Sequence, residues 1–187
     1  MSGALRLLSL LVDWLGRVNG FLLWLGRQIS WVLIGVMVLV ILLQVFYRYV
    51  LNSALPWPEE AARALMVWMM ALTAPSAYRW GGFVNITMIS DSFPRVFRNL
   101  LAIATYILAA AILIVLLQQA ANHFNSGFIF RSSTLKIPLA WIYLAMSVCF
   151  GLLMSVNLEL LLRHLGQLFG QAEDFPLPKV PDSLGAE

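Results

Sequence analysis

An all-α membrane protein is the fold class this sequence predicts: four transmembrane helices preceded by an N-terminal amphipathic helix in the membrane interface. Three observations carry that expectation. Of the 187 residues, 61% are hydrophobic and only 11% charged, with a mean hydropathy of +0.84. A soluble domain carries about 25% charged residues, so this chain has too little polar surface to cover a soluble globule. The apolar runs are continuous rather than alternating, which argues against a membrane β-barrel. Four stretches also approach the ~20 mostly apolar residues that a spanning helix needs.

Residues 1–28 read as the interfacial helix. Arg6, Ser9, Asp13, Arg17 and Gly20 recur at spacings of three or four and share one narrow helical face, while Leu, Val, Trp and Phe fill the remainder. That pattern suits a helix lying in the interface, with Trp14 and Trp24 at headgroup depth; the alternative is a loose extension of the first span. A cleavable signal peptide is not expected, because the apolar core Leu7 to Val12 is short and no small-x-small site follows it.

The transmembrane domain occupies 29–165. Its first span is Ile29 to Val50, the second Ala61 to Tyr78, the third Phe97 to Gln119 and the fourth Ile137 to Leu162. Pro75 is expected to kink or end the second helix early. Ser147, Gly151 and Ser155 form a small-xxx-small stripe on the fourth, a pattern that lets another helix approach closely. Residues 166–187 read as a flexible cytoplasmic tail, since Gln171 to Glu187 holds three prolines, four acids and no apolar periodicity.

Lysine and arginine in the short loops set the orientation. With a cytoplasmic N-terminus, Arg6, Arg17, Arg27, Arg79, Arg95, Arg98, Arg163 and Lys179 lie inside, against Arg48, Arg63, Arg131 and Lys136 outside. Eight against four predicts that both termini lie in the cytoplasm, in a multi-pass membrane protein.

Several chemistries are excluded. The single cysteine, Cys149, rules out a disulfide framework and a cysteine-based metal site. His123 and His164 fall at opposite ends of ~30 Å of hydrocarbon and cannot share one haem iron. All nine acids lie outside the spans or at their ends, so the mid-membrane carboxylate of a proton-coupled exporter is missing. No nucleophile with a neighbouring histidine stands out. We therefore expect no enzyme activity and no cofactor.

What remains is a polar cluster between the first two spans: Arg48, Tyr49, Asn52, Trp57, Pro58, Glu59, Glu60, Arg63 and Trp68. Pro58 suits the first turn of a helix, and Glu59 and Glu60 then meet the positive end of its dipole. Glu59 and Arg63 stand at i,i+4, a salt-bridge spacing. Arg48 either snorkels to water or folds back onto Glu59 or Glu60 and pins the first two helices together.

The run Arg48-Tyr49-x-x-Asn52, Trp57-x-Glu59-Glu60-x-x-Arg63, Trp68 and Arg79-x-Gly81-Gly82 resembles the signature of the small membrane subunit (DctQ-type, Q subunit) of tripartite ATP-independent periplasmic (TRAP) transporters. The resemblance covers Gln44 to Pro94, and the four-helix layout agrees over the rest. There are departures. Where that family often has Gly-Gly-His and an acid, this chain has Gly81-Gly82-Phe83-Val84-Asn85-Ile86-Thr87, and Pro75-Ser76 stands where small residues are expected.

The resemblance implies a non-enzymatic scaffold in a secondary, sodium-coupled transporter that imports an organic acid anion such as a carboxylate. It implies two protein partners, a large M-type membrane subunit that moves the substrate and a periplasmic substrate-binding protein of the P type. The outer loops Asn52 to Glu60 and Asn122 to Lys136 are the docking surface it suggests, with Arg48, Asn52, Trp57, Glu59, Glu60 and Arg63 in structural or contact roles. The competing reading is an autonomous four-helix homo-oligomer acting as a channel or small-molecule exporter. Few polar residues in mid-membrane disfavour it.

Overall fold

The computed structural model describes residues 3–53, 55–81, 95–169 and 175–178. Within them the chain is helical: α1 (Gly3–Tyr49), α2 (Trp57–Arg79), α3 (Arg95–Ser126) and α4 (Ala140–Phe169). No strand occurs among the described residues; the one β-bridge joins Arg131 to Pro138. Among the described residues three helical segments are long and apolar enough to cross a membrane: Leu8–Tyr49, Phe97–Ser126 and Ala140–Leu168. The expected second span does form a helix, 23 residues or about 35 Å long. With Glu59, Glu60, Arg63 and Arg79 at its ends it is less apolar than the other three.

Two expectations change. Residues 3–28 are not a separate helix but the first part of α1, which runs unbroken for 47 residues from Gly3 to Tyr49. Nothing in the sequence stops it at residue 28. Gly20 and Gly26 each weaken a helix by only about 1 kcal/mol, and no proline intervenes. Pro75 does not end α2, which continues to Arg79 with Pro75 buried inside it.

The fourth helix begins at Ala140 rather than Ile137. Pro138 disfavours helical geometry in the residue before it. Ile137 instead accepts from the Ser132 amide at 2.9 Å, while the Leu139 amide donates to Phe130 at 3.0 Å.

The chain divides into two compact units, Met1–Leu22, Pro75–Val115 and Leu152–Glu187 in the first, and Leu23–Ala74 and Leu116–Gly151 in the second. In the first, α4 buries Val156, Asn157, Glu159, Leu160, Arg163 and His164, positions that recur at helical spacing along one face. On α1 the buried positions are Val12, Gly16 and Asn19, so small and polar residues line its protein side while Leu10, Leu11, Trp14 and Phe21 stay exposed. This inversion is what a membrane permits, since apolar side chains lose nothing by facing lipid.

In the second unit, Gly26 brings α1 close to α2. A Cβ added at Gly26 would lie 3.1 Å from the Leu72 carbonyl oxygen.

Candidate functional site

Two carboxylates organise the polar chemistry, one in each unit. The first is Glu159 on α4, with none of its surface exposed. A buried carboxylate is costly unless its lone pairs are filled, and here they are. Arg79 of α2 grips it with two hydrogen bonds, Nε to Oε2 at 3.1 Å and Nη2 to Oε1 at 2.8 Å. Arg163, one turn further along α4, donates Nε and Nη2 to Oε1 at 3.1 and 3.0 Å. Asn19 of α1 donates Nδ2 to Oε2 at 2.8 Å.

The donors are themselves tied down. Arg79 Nη2 also reaches the Gly16 carbonyl at 2.9 Å, and Asn19 Nδ2 the Ser155 carbonyl at 3.2 Å. Gly16 is needed for this approach: a Cβ there would stand 2.7 Å from Arg163 Nη2 and 3.1 Å from Glu159 Oε1.

Two residues before Glu159, Asn157 collects the remaining helix. Its Oδ1 accepts from Tyr78 Oη at 2.6 Å, and its Nδ2 donates to the Tyr106 carbonyl on α3 at 3.0 Å. His164 lies against the Tyr106 ring, with centroids 5.1 Å apart. The other three helices are thus bound to one face of α4 by filled polar contacts. Part of the expected tail joins the same region. Phe175 is buried against Gly166, its carbonyl accepts from Gln167 Nε2 at 2.8 Å, and the Pro176 carbonyl accepts from Arg163 Nη1 at 2.5 Å.

The second carboxylate is Glu60, in the first turn of α2. It accepts hydrogen bonds from the hydroxyls of Ser132 and Thr134 and from the backbone amides of Thr134 and Leu135, the last two at 3.1 and 3.3 Å. All of these lie in the hairpin-like connection from α3 to α4. The Ser132 hydroxyl, then that of Thr134, holds the Glu60 carboxyl down to about 2, outweighing the opposing effect of burial. Glu59 pairs instead with Arg63 at 2.9 Å, in the open, with side chains 72% and 73% exposed.

The polar cluster is therefore only partly assembled. Arg48 lies over the Tyr49 ring, 5.9 Å from its centroid, and among the described residues it forms no ion pair with Glu59 or Glu60. Asn52 has a backbone role. It takes a left-handed conformation at φ 49°, which asparagine tolerates better than most residues, and so turns the chain out of α1. Pro58 is buried in the first turn of α2, as its missing N–H allows, and Trp57 opens that helix half-buried. Pro56, Glu59, Glu60, Arg63, Ser133 and Thr134 line a shallow cavity of about 210 Å³.

Of the packing stripe, Ser155 bonds back to the Leu152 carbonyl at 2.8 Å, Ser147 Oγ is buried without a partner among the described residues, and a Cβ added at Gly151 would meet nothing beyond its own helix within 4 Å. Residues 82–94, with the Gly82-Phe83 turn and Phe93-Pro94, lie outside the described residues. Among the described residues no group of His, Cys, Asp or Glu could hold a metal ion.

The Glu159 cluster was not among the candidate site residues. A helix-spaced Glu159–Arg163 pair at the end of an apolar run was its only signal, while Asn19 lies beside the polar face read from α1 rather than on it.

Residues 37–167 match the family model for the DctQ component of tripartite ATP-independent periplasmic transporters. The match covers more than half of the 187 residues. The chain belongs to the DctQ family. Among its relatives is the sialic acid TRAP transporter small permease protein SiaQ of Vibrio cholerae, 27% identical over 116 residues, which are 62% of this chain and 67% of SiaQ. Another is the isethionate TRAP transporter permease protein DctMQ of Oleidesulfovibrio alaskensis, 28% identical over 129 residues, 65% of this chain. The chain spans only 20% of DctMQ. As a DctQ-family member with long apolar helices, it is a multi-pass membrane protein of a TRAP transporter.

Proposed function

We propose that this chain is the small, non-enzymatic scaffold subunit of a sodium-coupled TRAP transporter that imports an organic acid anion. It sits in the bacterial inner membrane with α2 as a fourth span and both termini in the cytoplasm. The observation that carries the reading is the DctQ-family match over residues 37–167. The buried carboxylate supports it, because Glu159, Asn157 and their partners are engaged in joining helices to one another rather than lining a solute path among the described residues. The excess of Lys and Arg in the presumed inner loops supports the orientation.

A large M-type subunit is the main partner. DctMQ, whose matched stretch is a fifth of its length, carries both letters in its name. Gly151, which opens onto space this chain leaves unfilled, suits close approach by a partner helix. The shallow polar cavity at Glu59, Arg63 and Ser133 is the surface offered to the periplasmic binding protein.

The test is co-expression with the neighbouring large-subunit gene and reconstitution into proteoliposomes. Stable co-purification is expected, along with sodium-gradient-driven uptake of a carboxylate that requires the binding protein and stops when this chain is omitted. Isolation of this chain as a homo-oligomer that conducts solutes alone would overturn the reading in favour of a channel or exporter.

A further inference from the structure

The connection between α3 and α4, which offers Ser133 to the proposed docking surface, carries a separate feature at its tip. Phe128, Ile129 and Phe130 stand consecutively at its tip, 57%, 80% and 58% exposed. Three neighbouring large apolar side chains at this exposure need a cover, and in a soluble loop they would be an aggregation hazard.

Their presentation is built rather than loose. The Gly127 amide donates to His123 at 2.9 Å, the Ile129 amide to Ser126 at 3.1 Å, the Leu139 amide to Phe130 at 3.0 Å and the Ala140 amide to Gly127 at 3.2 Å. Phe128 packs edge-on against Phe124 at 5.2 Å, and the Glu60 carboxylate holds the other limb of the hairpin. Gly127 permits the closure, since a Cβ there would stand 2.7 Å from Ala140 backbone.

We propose that this tip is a membrane anchor, with Phe128, Ile129 and Phe130 seated at the boundary between headgroups and acyl chains, and Arg131 and Lys136 on the lipid phosphates. Three observations select lipid as the occupant. The tip follows directly on α3, whose Phe97–Ser126 stretch is a candidate membrane span, so it emerges at headgroup level. Aromatic residues favour that depth. The segment's charge is complementary: Arg131 and Lys136 are exposed and unpaired among the described residues, and Glu60, the acid that contacts this hairpin, is already occupied by hydrogen bonds. Backbone chemistry sets the limit of depth. An irregular loop cannot enter hydrocarbon with open amides, so the anchor stays at the boundary while its paired amides keep it cheap to hold there. The inference needs only the bilayer and is independent of which proteins dock elsewhere.

The experiment uses the full chain with Cys149→Ser, reconstituted without partners into phosphatidylcholine vesicles with and without phosphatidylglycerol. A nitroxide is placed at Ile129→Cys or, as a second tip site, Phe130→Cys, with Leu39→Cys as lipid-facing and Ser133→Cys as aqueous controls. Relaxation by oxygen and by a water-soluble nickel complex reports depth. At the tip, oxygen is expected to exceed nickel, as at Leu39 and opposite to Ser133. Arg131→Gln with Lys136→Gln is expected to make the tip shallower in the anionic vesicles. A tip as nickel-accessible as Ser133 overturns the proposal. So does a tip that gains protection only when the large subunit or the binding protein is added, which would identify a protein as its cover.

Discussion

Arg79 meets Glu159 through two parallel hydrogen bonds, 3.1 and 2.8 Å long, and the carboxylate they hold has no exposed surface. Bidentate guanidinium–carboxylate geometry is the strong form of an ion pair. Its worth here lies in the alternative. Burial has already removed water from the carboxylate, so losing one partner leaves a charge with nothing to replace it.

Glu159→Gln therefore leaves Arg79 and Arg163 facing each other without a counter-charge. A loss of about 3–5 kcal/mol is expected, the usual cost of breaking a buried pair from one side. Thermal unfolding in detergent, followed by the fluorescence of size-exclusion peaks, measures it. Arg79→Met combined with Glu159→Gln should cost less than the sum of the single changes, with a coupling of roughly 0.5–3 kcal/mol. Additive losses would mean that the two residues act separately.

Gly16 is tested by what surrounds it. Gly16→Ala puts a methyl group 2.7 Å from Arg163 Nη2, and although a guanidinium tip can move, this one is held by Glu159. The expected loss is about 1–3 kcal/mol from overpacking. Gly35 has nothing within 4 Å, so Gly35→Ala should be neutral or stabilising by up to about 1 kcal/mol through helix propensity. Equal effects at the two positions would contradict the close approach.

How much of this was legible beforehand divides along physical lines. The helices read at 97–119 and 137–162 follow from apolar continuity alone, apart from the start that Pro138 moves to Ala140, and the first turn of α2 follows from Trp57-Pro58-Glu59-Glu60. The Glu59–Arg63 pair follows from spacing. What could not be read is anything requiring two distant segments. Arg79 and Glu159 are 80 positions apart, and Glu60 meets a loop 72 to 75 positions away. The segment 3–28 differs for another reason: no proline separates it from the first span, so α1 runs on to Tyr49. Its buried positions Val12, Gly16 and Asn19 lie beside the polar face of Asp13 and Arg17, which stays exposed.

Arg48 and Glu60 are close in sequence and of opposite sign, yet each is engaged elsewhere. Exchanging them, Arg48→Glu with Glu60→Arg, is therefore expected to assemble no better than Glu60→Arg alone, by yield and monodispersity after purification. Glu59→Ala, which removes only an exposed pair, should cost less than about 1 kcal/mol. Rescue by the exchange would restore the helix-corner pin.

Phe175 supplies a test at the other end of the chain. It is 1% exposed and its ring fills the space over Gly166. Phe175→Ala should destabilise its docking by about 3–5 kcal/mol, in the range for aromatic truncation in a packed site. The readout is a nitroxide at Leu177→Cys, a position 43% exposed in the parent chain, in a Cys149→Ser background: a broad line in the parent and a narrower one in the variant, with the helices otherwise intact. An unchanged line would mean that the 175–178 segment is not held.

The Glu60 contact gives a dependence on pH. Its folded-state value, about 2, lies below the ~4.3 of a free glutamate, so the bound form is the carboxylate. A depressed value of this kind contributes stability that is fully present above the unfolded value and is lost as pH falls toward the folded one. The hairpin at 131–138 should therefore stay fixed from neutral pH down to about 4.5 and loosen only as pH approaches 2. A nitroxide at Ser133→Cys, in a Cys149→Ser background, reports this as line narrowing confined to the acid end. Glu60→Gln should show the narrow line already at pH 7, because an amide cannot accept the same set of donors on both of its atoms. Narrowing near pH 6 in the parent chain would mean that a group other than Glu60 holds the hairpin.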